Sequence, residues 1–417
     1  MTQQLQAPVI IVGAGPAGAG TSIFLSKFGI PHIIIDKATF PRDKVCGDAC
    51  SGKTLFVLRK ANIRWVQEIF GQSEKYAPSK GIIFAAPNGK NIDIPFNGTQ
   101  MPGEDTAGFT TPRLTFDHFL FKKLDKSFAT IYEQATIKSI ERSQDRVNIS
   151  FSHCGSDYEV TSKIVIGADG DKSVVQKTFS AIKSSPKAYA VGLRAYYKGV
   201  TGMDKNNSIE LHFLPEMLPG YFWIFPLPGG MANVGVGIPS ERVRDRKINL
   251  RELMVRTIEE NPSIRDRFKD ASLDGKIQGW GLPMAIEPHS VSGDNYLLTG
   301  DAASLIDPFS GEGIGNALYS GMLAAEAVQK AVKEERYDAA YFKENYDDVL
   351  YRKIGKELQL SATLQRLCRF PWLFNMVVNK ARKSPALRQT MSSMFSDLDL
   401  RAQLRKPSFY FRILFNR

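Results

Sequence analysis

The stretch VIIVGAGPAGAGTSIFLSKFGIPHIIID, residues 9–36, decides the fold, and its apolar run fits a membrane span, a secretion signal or a strand–turn–helix. Four glycines and Pro16 interrupt the run, which disfavours one continuous membrane helix. The preceding residues MTQQLQ carry no Lys or Arg, and no small-residue cleavage pattern follows a short apolar core. We therefore expect neither a span nor a signal, and the strand–turn–helix remains.

The glycines of this stretch fit a phosphate-binding turn. Residues 9–12 are apolar and β-branched, like a buried parallel strand, and a G-x-G-x-x-G pattern made by Gly13, Gly15 and Gly18 follows directly. These glycines permit a tight turn, a close approach of the backbone to a pyrophosphate, and packing of the next helix on the strand. Asp36 ends the second apolar strand at the distance where a ribose-binding acid belongs. The pattern predicts dinucleotide binding.

The composition is that of an ordinary globular protein. Among 417 residues, hydrophobic types make up 43% and charged types 23%, which allows two or three domains with large cores. Four cysteines are too few and too scattered for a disulfide framework, and no group of Cys and His has metal-ligand spacing. We expect a cytoplasmic protein in a reducing environment, without a bound metal.

The net charge of +11 belongs to the C-terminal end. Residues 351–417 contain 14 Lys and Arg against three acids, whereas the preceding 350 residues carry 40 of each sign. This segment has helical spacing of leucines and ends in RKPSFYFRILFNR, residues 405–417. A helical cap with a solvated basic side and docking on an anionic membrane both fit, the latter making the protein peripheral at the inner face of a membrane. No nucleic-acid-binding module accompanies the charge, so we expect no nucleic-acid partner.

Two later segments repeat the pattern of an apolar strand followed by glycine and an acid. The first ends in Asp169-Gly170, and the second ends in Gly300-Asp301 before a glycine-rich turn and an alanine-rich helix. With the opening stretch, in this order and spacing, they resemble the FAD-dependent oxidoreductases of the p-hydroxybenzoate hydroxylase fold. Within that fold the chain looks most like the geranylgeranyl reductase family. The stretches that carry this likeness are FPRDKVCGD (40–48), YFWIFPLPGGMANVGVG (221–237) and DPFSGEGIGNALYSGMLAA (307–325).

The resemblance covers about residues 7–335 and implies an α/β protein, α+β overall. It would have a Rossmann-like FAD-binding domain, an inserted antiparallel β-sheet substrate domain and a C-terminal helical segment. We expect the FAD-binding domain at 1–75, 105–185 and 285–345, the substrate domain at 76–104 and 186–284, and the basic helical segment at 346–417. A hairpin around Asn88-Gly89 would belong to the substrate domain.

The resemblance also implies FAD as the cofactor and assigns residues to it. Asp36 would bind the adenosine ribose, and Arg113, in TPRLTFDHFL, would contact the cofactor. A carboxylate fixed at a strand end can accept two hydroxyl hydrogens, which suits Asp301 as a ligand of the ribityl chain. The other implied cofactor-binding residues are the pyrophosphate-binding Gly13, Gly15 and Gly18, then Asp169, Gly170 and Gly300, and the start of a helix aimed at the flavin, Gly311, Gly313 and Ile314. An ordinary loop-to-helix turn is the alternative for Gly311, Gly313 and Gly315.

An aromatic cluster and one cysteine are the candidates for chemistry. In the resembling reductases the Tyr-x-Trp-x-Phe-Pro pattern lines a pocket for a long isoprenoid chain, which here implies Tyr221, with Trp223 and Phe225 as substrate-binding residues. Burial in the core of a sheet is the alternative for these aromatic residues. Cys46 stands in a Cys-Gly pair that the resemblance places near the flavin, although a lone cysteine is commonly an inert packed residue. Cys46 and Tyr221 are therefore the candidate catalytic proton donors.

Three functions remain open on the sequence. The favoured one is reduction of carbon–carbon double bonds of an isoprenoid, another lipid or a polyene by hydride from reduced FAD, with electrons from NAD(P)H or a small redox protein. The second is an oxygen-dependent monooxygenase or halogenase acting on an aromatic substrate, although Tyr221 and Phe225 replace the Trp and Ile of the halogenase Trp-x-Trp-x-Ile-Pro signature. The third is a non-catalytic lipid carrier like the Rab GDP-dissociation inhibitors.

Overall fold

The computed structural model describes residues 2–95, 108–143, 145–180, 182, 186–385 and 388. The chain folds into two compact units, and each unit is assembled from three separate segments of sequence. The first unit consists of Met1–Lys44, Arg113–Ser185 and Leu282–Leu360, and the second of Val45–Pro112, Pro186–Gly281 and Ser361–Arg417. The predicted C-terminal stretch 405–417 lies outside the described residues.

The described strands are, in chain order, β1 (Gln3–Gln6), β2 (Val9–Val12), β3 (His32–Ile35), β4 (Ala49–Cys50), β5 (Ala77–Ser79), β6 (Gly81–Ala85), β7 (Asn91–Pro95), β8 (Gly108–Thr110), β9 (Ala129–Tyr132), β10 (Thr136–Ser143), β11 (Arg146–His153), β12 (Ser156–Ser162), β13 (Ile164–Gly167), β14 (Tyr189–Lys198), β15 (Ile209–His212), β16 (Tyr221–Leu227), β17 (Met231–Pro239), β18 (Ser272–Pro283), β19 (Ser292–Gly293) and β20 (Tyr296–Leu298). The described α-helices are α1 (Pro16–Lys27), α2 (Gly52–Ala61), α3 (Ile63–Phe70), α4 (Arg113–Lys122), α5 (Val174–Phe179), α6 (Ser240–Asp245), α7 (Leu250–Glu260), α8 (Ile314–Glu334), α9 (Ala339–Phe342), α10 (Asp348–Leu350), α11 (Lys356–Leu367) and α12 (Pro371–Lys383).

The first unit is built on a six-stranded sheet in the order β19-β20-β13-β2-β3-β9. Its five strands from β20 to β9 are parallel, and β19 pairs antiparallel with β20 at the edge. Every residue of β2, β3, β13 and β20 is buried, as expected for parallel strands that are covered on both faces. A second sheet of the same unit has the order β1-β12-β11-β10. The predicted Rossmann-like architecture is confirmed.

Helices α1 and α8 of the first unit pack closely because small residues face each other. A Cβ on Gly321 would lie 2.4 Å from the Ala17 carbonyl oxygen, and a Cβ on Gly20 would lie 3.2 Å from a Leu318 methyl carbon. Residues of both helices are largely buried. The glycine-rich stretch after β2 therefore serves helix packing, through Gly20, as well as the turn.

The second unit is built on a seven-stranded sheet in the order β18-β14-β17-β16-β15-β6-β7. The hairpin predicted around Asn88-Gly89 forms between β6 and β7. The expectation of an antiparallel sheet needs one correction, since β15 pairs parallel with β6. The two strands come from different segments of the chain, so no tight hairpin fixes their direction.

One face of this sheet packs against α7. Phe222 and Ile224 point from β16 into a core that includes Leu253 and Met254 of α7, and all four side chains are buried. The aromatic residues at odd positions of β16 point to the opposite face, because successive side chains alternate along a strand.

The boundaries of the two compact units differ from the domain boundaries that we expected from the sequence. Residues 45–75 and 108–112 fall in the second unit, where β4 and β5 both pair with β8. Residues 346–360 fall in the first unit and 361–385 in the second. Residues 339–367 form a nearly continuous helix with two π-helical turns. Among the described residues, no helix combines the length and the apolar character needed to cross a membrane.

Candidate functional site

The carboxyl ends of four neighbouring parallel strands carry the residues predicted to bind the cofactor. Gly13 follows β2, and Asp36 follows β3. Asp169 comes two residues after β13, and Asp301 comes three residues after β20. In open α/β sheets, ligands bind at the carboxyl ends of the strands. The sheet therefore collects, at one edge, residues that are hundreds of positions apart in the sequence.

The turn after β2 requires glycine at two positions. Gly13 has a φ of +99°, and a Cβ there would lie 2.4 Å from the Ala168 carbonyl oxygen. A Cβ on Gly18 would lie 1.8 Å from the Gly13 carbonyl oxygen. Gly15 occupies the N-cap position of α1 without a side-chain cap. The amide groups of the first turn of α1 can therefore meet an anion such as a phosphate.

Two arginines are held at this turn by one buried carboxylate. Arg113 donates from Nε to Asp117 Oδ1 at 2.6 Å and from Nη2 to Oδ2 at 2.8 Å. Arg42 Nη1 lies 3.0 Å from Asp117 Oδ2, and its Nη2 lies 3.1 Å from the place a Cβ on Gly15 would take. Arg42 was not singled out from the sequence, although it lies in the quoted stretch 40–48. The structure places its guanidinium beside the glycine turn, where a pyrophosphate would need a positive charge.

Asp36 is tied to the glycine turn by backbone hydrogen bonds. Its Oδ2 accepts from the amide of Ala14 at 2.6 Å, and its Oδ1 accepts from the amide of Ala38 at 2.8 Å. The residue is only 7% exposed. A carboxylate has about four acceptor positions, so two of them remain for sugar hydroxyls.

Asp169 carries an unsatisfied acceptor. Its Oδ2 accepts from the amide of Val174 at 2.6 Å, but its Oδ1 is buried and meets no donor among the described residues. Burial raises the pKa of this carboxyl above its ordinary value, and hydrogen bonds from Ser173 and Val174 offset part of that effect. A buried acceptor without a partner is uncommon in a folded protein, and a ligand hydroxyl would satisfy it. The adjacent Gly170 has a φ of +80°.

Asp301 forms an ion pair that the sequence did not reveal. Lys44 Nζ lies 2.7 Å from Asp301 Oδ2, and both side chains are largely buried. Gly300 has a φ of +57°, and a Cβ there would lie 3.1 Å from the methyl carbon of Ala17. The strand end, the glycine turn and Lys44 therefore meet around this carboxylate.

The glycine-rich stretch after Asp301 leads into a helix, as predicted. Gly311 has a φ of +74°, Gly313 is the N-cap without a side-chain cap, and α8 begins at Ile314. A Cβ on Gly313 would lie 3.6 Å from Asp301 Oδ1. The positive end of α8 thus begins beside Asp301, where it favours negative charge on a ligand.

These features fit FAD on physical grounds. The glycine turn and the Arg42 guanidinium suit a pyrophosphate, and the unsatisfied Asp169 Oδ1 suits a hydroxyl group. The uncapped start of α8 suits the edge of the flavin that becomes negative on reduction. Within the described part of the chain, no group of His, Cys, Asp and Glu could hold a metal ion.

The second unit contains the predicted substrate-binding aromatic residues on one face of β16. The ring centroids of Tyr221 and Trp223 are 6.2 Å apart, and those of Trp223 and Phe225 are also 6.2 Å apart. Gly237 and Gly235 are the register partners of Tyr221 and Trp223 on β17. Aromatic side chains beside glycines make a continuous apolar strip along the sheet. Tyr221 is partly exposed, and Trp223 and Phe225 are buried.

A buried amide connects this strip to the predicted catalytic cysteine. The Trp223 indole Nε1 donates to Asn233 Oδ1 at 2.8 Å, and Asn233 Nδ2 donates to the Cys46 carbonyl oxygen at 2.7 Å. Asn233 Nδ2 also lies 2.9 Å from Asp48 Oδ2, which accepts from the Tyr196 hydroxyl at 2.7 Å. Asn233 and Asp48 were missed in the sequence because their role depends on partners far along the chain.

Cys46 lies near the aromatic strip in the second unit. A Cβ on the adjacent Gly47 would lie 2.8 Å from Phe225 Cε2, so Gly47 allows the backbone to approach the ring. Cys46 is half-buried, and its thiol is free. The structure therefore brings together Cys46, Trp223 and Phe225, with Tyr221 farther along β16. The predicted cofactor-binding residues all belong to the first unit.

Comparisons with known proteins agree with an FAD-binding protein of this fold. The family described as an FAD binding domain matches residues 6–340. A digeranylgeranylglycerophospholipid reductase from Methanocaldococcus jannaschii is 31% identical over 84% of this chain and 87% of that protein. A menaquinone reductase from Mycobacterium tuberculosis is 27% identical over 94% of this chain and 92% of that protein.

Solved structures show the same fold. A geranylgeranyl bacteriochlorophyll reductase-like protein from Thermoplasma acidophilum superposes with a TM-score of 0.77 at 21% identity, over 96% of this chain and 99% of that one. A flavin-dependent brominase gives a TM-score of 0.76 at 19% identity, over 98% and 99% of the two chains. The fold is therefore shared by reductases and halogenases, whereas the sequence likeness is to reductases. The predicted resemblance is confirmed, and the chain belongs to the FAD-dependent oxidoreductases of the geranylgeranyl reductase family.

Proposed function

We propose that this protein reduces carbon–carbon double bonds in an isoprenoid chain carried by a lipid or quinone. The observation that carries the proposal is the apolar strip of Tyr221, Trp223 and Phe225, bordered by Gly235 and Gly237. A flat aromatic surface next to glycines suits a long unsaturated chain, which offers no charged group to bind. The names of the relatives, digeranylgeranylglycerophospholipid reductase and menaquinone reductase, support the same substrate class.

We propose that the strand-end residues of the first unit hold FAD. Bound and reduced FAD would supply the hydride for the reduction. The glycine turn and Arg42 would bind the pyrophosphate, together with Arg113 through Asp117. Asp36 would bind the adenosine ribose, and Asp169 would accept from a cofactor hydroxyl. The remaining assignments are Gly170, Gly300 and Asp301 for the ribityl region, and Gly311, Gly313 and Ile314 for the flavin end.

We propose that Cys46 or Tyr221 supplies the proton that completes the reduction. Addition of hydride to one carbon of a double bond requires a proton at the other carbon. The Cys46 Sγ and the Tyr221 Oη are the candidate donors, and Trp223 and Phe225 would hold the chain and exclude water. Cys46→Ala and Tyr221→Phe separate the two donors, since the true donor's loss should lower the rate of reduction without releasing FAD.

Anaerobic turnover tests the reductase proposal. The purified protein with FAD is reduced by dithionite without oxygen, and a digeranylgeranylglycerophospholipid is added. We expect the flavin absorbance to return and the lipid mass to rise by two hydrogens for each reduced double bond. A flavin that stays reduced under these conditions contradicts the proposal. Substrate-dependent oxygen consumption, with an oxygen or halogen atom appearing in an aromatic product, would support the oxygenase or halogenase alternative.

The electron donor is either NAD(P)H or a small redox protein. The sequence contains one dinucleotide fingerprint, which the FAD site uses, so a nicotinamide donor would have to bind transiently. Stopped-flow mixing of the oxidised protein with NADPH and NADH tests the first possibility. Rapid bleaching of the flavin would support a nicotinamide donor, and its absence would support a protein donor.

We further propose a peripheral contact with the cytoplasmic face of a membrane through residues 351–417, because a lipid substrate resides there. The basic charge of that segment suits anionic lipids. Liposome flotation of the full chain and of a chain without residues 405–417 tests the role of the aromatic tail. Equal recovery of both chains with the liposomes would show that the tail is not needed.

A further inference from the structure

One corner of the second unit exposes a cluster of large apolar side chains. Leu367 ends α11, while Phe370 and Trp372 flank the start of α12 and are 51% and 66% exposed. These are three of eight exposed large hydrophobic residues in the described ranges, and they fall within six positions. The corner is fixed in place, since the Phe374 ring packs 4.5 Å from the Phe213 ring. Exposed apolar residues concentrated in this way mark an interaction surface.

Arginines from two distant parts of the sequence meet at this corner. Arg369 precedes Phe370, and its Nη2 lies 3.5 Å from Glu241 Oε2 at the start of α6. Arg242 and Arg246 are four residues apart, and the amide of Arg246 donates to the Arg242 carbonyl oxygen, so both face the same side.

The arginines are close enough to affect one another. Burial first, and then the positive charges of Arg246 and Arg369, lower the pKa of Arg242. The Arg242 Nε is buried and meets no acceptor among the described residues. Like charges held together repel, and an anion placed between them relieves the repulsion. Guanidinium groups bind phosphates with matched geometry.

We propose that Arg242, Arg246, Arg369, Phe370 and Trp372 form a docking corner that binds the anionic phospholipid surface of a membrane. Aromatic side chains such as Trp372 occupy the boundary between headgroups and acyl chains, and arginines beside them meet the phosphates. Basic residues at a membrane surface add attraction that extends over about one Debye length, roughly 10 Å at 0.1 M salt.

The charge of the chain itself argues for this occupant. Residues 389–417 carry five Lys and Arg against two acids, so their charge does not complement the arginine cluster. An identical surface on a second copy would also bring arginines against arginines. An anionic membrane supplies negative charge for the arginines and an apolar layer for Phe370 and Trp372.

This inference deepens the proposed membrane contact and adds α6 to it. It rests on the proposed function only for the location of the substrate, because vesicle binding is measured without substrate and without turnover. Failure of vesicle binding would overturn the docking corner, while flavin reoxidation would still decide the reductase proposal.

Vesicle sedimentation of the protein with FAD tests the docking corner. The variants are Phe370→Ser with Trp372→Ser, and Arg242→Gln with Arg246→Gln. Arg251→Gln with Arg256→Gln is the matched control, since both residues are exposed on α7 and the charge change is the same. Vesicles of phosphatidylcholine alone are compared with vesicles that also contain phosphatidylglycerol. FAD content and melting temperature equal to the wild type confirm that each variant is folded.

We expect the wild type to bind vesicles that contain phosphatidylglycerol and not to bind vesicles made only of phosphatidylcholine. The Arg242→Gln and Arg246→Gln pair should lower the partition coefficient by about ten- to thirty-fold, and the control by far less. Trp372 emission should shift to the blue on binding, measured as the difference between the wild type and Trp372→Phe. Equal binding by all variants overturns the proposal. The proposal is also overturned if the protein does not bind vesicles but self-associates in a way that depends on Phe370 and Trp372. That result would assign the corner to contact with a second copy.

Discussion

A single carboxylate in the first unit, Asp169, should make cofactor binding depend on pH. Asp169 accepts from the Val174 amide through Oδ2, and its Oδ1 is buried without a donor. Burial raises the pKa of Asp169, so the proton binds more tightly in the folded protein than in an unfolded chain. A hydroxyl donated to Oδ1 would favour the carboxylate and release that proton. Binding of FAD should therefore strengthen as the pH rises through the acid range above the usual Asp value of about 3.9.

Asp169→Asn removes this dependence. We expect the wild-type affinity for FAD to rise with pH by up to about tenfold per pH unit within that range, because one proton is released. The variant should bind FAD more weakly at neutral pH, with an affinity that varies less with pH. Quenching of FAD fluorescence across the acid range measures both. Asp266→Asn is the control, since that side chain is 86% exposed. A wild-type affinity that falls as the pH rises would contradict the assignment.

A second residue-scale prediction concerns the buried amide of Asn233. Its Nδ2 group donates to the Cys46 carbonyl oxygen and to Asp48, and its Oδ1 accepts from the Trp223 indole. Asn233→Asp replaces the donor with a negative oxygen that faces two acceptors. We expect this change to lower the free energy of unfolding by about 3 kcal/mol, because it buries an unpaired charge.

Chemical denaturation of the Asn233→Asp variant measures that loss. Asn91→Asp is the matched control, since Asn91 is an exposed strand residue of the same sheet. The control should change stability by less than about 0.5 kcal/mol. If the two variants were equally stable, the amide would not hold the Cys46 backbone and the indole in the way the contacts indicate.

Residues whose role is local could be predicted, and residues whose role depends on a distant partner could not. Gly18 packs within its own turn, where a Cβ would meet the Gly13 carbonyl oxygen, so the spacing of the glycines was sufficient to predict a tight turn there. Arg42 acts beside Asp117, and Lys44 acts on Asp301, which is 257 positions away. A single sequence contains no sign of which distant acid a given base will meet.

At the scale of elements, β17 contains two glycines, Gly235 and Gly237, that can be compared with each other beside Trp223 of β16. A Cβ on Gly235 would lie 2.2 Å from both Trp223 Cζ2 and the Leu193 carbonyl oxygen. A Cβ on Gly237 would meet its nearest heavy atom, Trp223 Cζ3, at 3.6 Å, which is an ordinary contact. Gly235 is therefore required for the indole to lie flat on the sheet, and Gly237 is not.

We expect Gly235→Ala to destabilise the protein by about 1–3 kcal/mol, which is the usual cost of overpacking a core. The substitution should also displace the Trp223 side chain. Gly237→Ala should be nearly neutral in stability. Thermal melting measures the first effect, and near-ultraviolet circular dichroism measures the environment of the indole. Equal effects of the two substitutions would show that the strip is looser than the distances indicate. In the reductase assay, only Gly235→Ala should slow reduction of the lipid, because it displaces the proposed substrate-binding residue Trp223.

A buried ion pair on the other face of the same sheet gives a pH prediction. Glu210 accepts from Arg267 Nη1 at 2.6 Å and Nη2 at 2.8 Å, and it lies 3.0 Å from His212 Nε2. Burial raises the pKa of Glu210, but the hydrogen bonds from His212 and Arg267 and the Arg267 charge outweigh it. The pKa therefore lies below its usual value. The stability from this group is present above about pH 4.3, the unfolded value, and is lost as the pH falls through the lower folded value.

Glu210→Gln should reduce stability at neutral pH by about 3 kcal/mol, because it leaves Arg267 without its full charge partner. The variant should also lose less additional stability than the wild type as the pH falls below about 4.3. Urea unfolding at neutral and acid pH measures both effects. Glu260→Gln, at an exposed end of α7, is the control. A variant whose acid-induced loss equals that of the wild type would show that Glu210 does not titrate in this range.

Elements with a strong local pattern were predictable, whereas pairings between distant segments were not. Helix α8 and the β6–β7 hairpin could be placed from alanine periodicity and from Asn88-Gly89. The parallel pairing of β15 with β6 joins segments more than one hundred residues apart, and apolar alternation does not state strand direction. The meeting of Arg369 with α6 was hidden for the same reason.

At the scale of the whole molecule, each unit is assembled from three segments that alternate along the chain. In the first unit, β20 completes the parallel sheet beside β13, and α8 covers α1. Both elements come from the third segment, whereas the glycine turn comes from the first. Contacts of such large sequence separation carry a high loop-closure entropy, and local structure cannot replace them. The turn proposed to bind FAD should therefore depend on residues far beyond the fingerprint itself.

A split chain tests this dependence. We expect residues 1–281 alone to retain no FAD, because the fragment lacks Asp301, β20 and the α8 helix that packs on α1. Co-expression with residues 282–417 should restore FAD binding, since the missing strand and helix can then dock on the exposed edge of β13. Absorbance of bound flavin after gel filtration measures retention, and an intact chain with the same tags is the reference. Retention of FAD by residues 1–281 alone would mean that the turn after β2 folds and binds without its long-range partners.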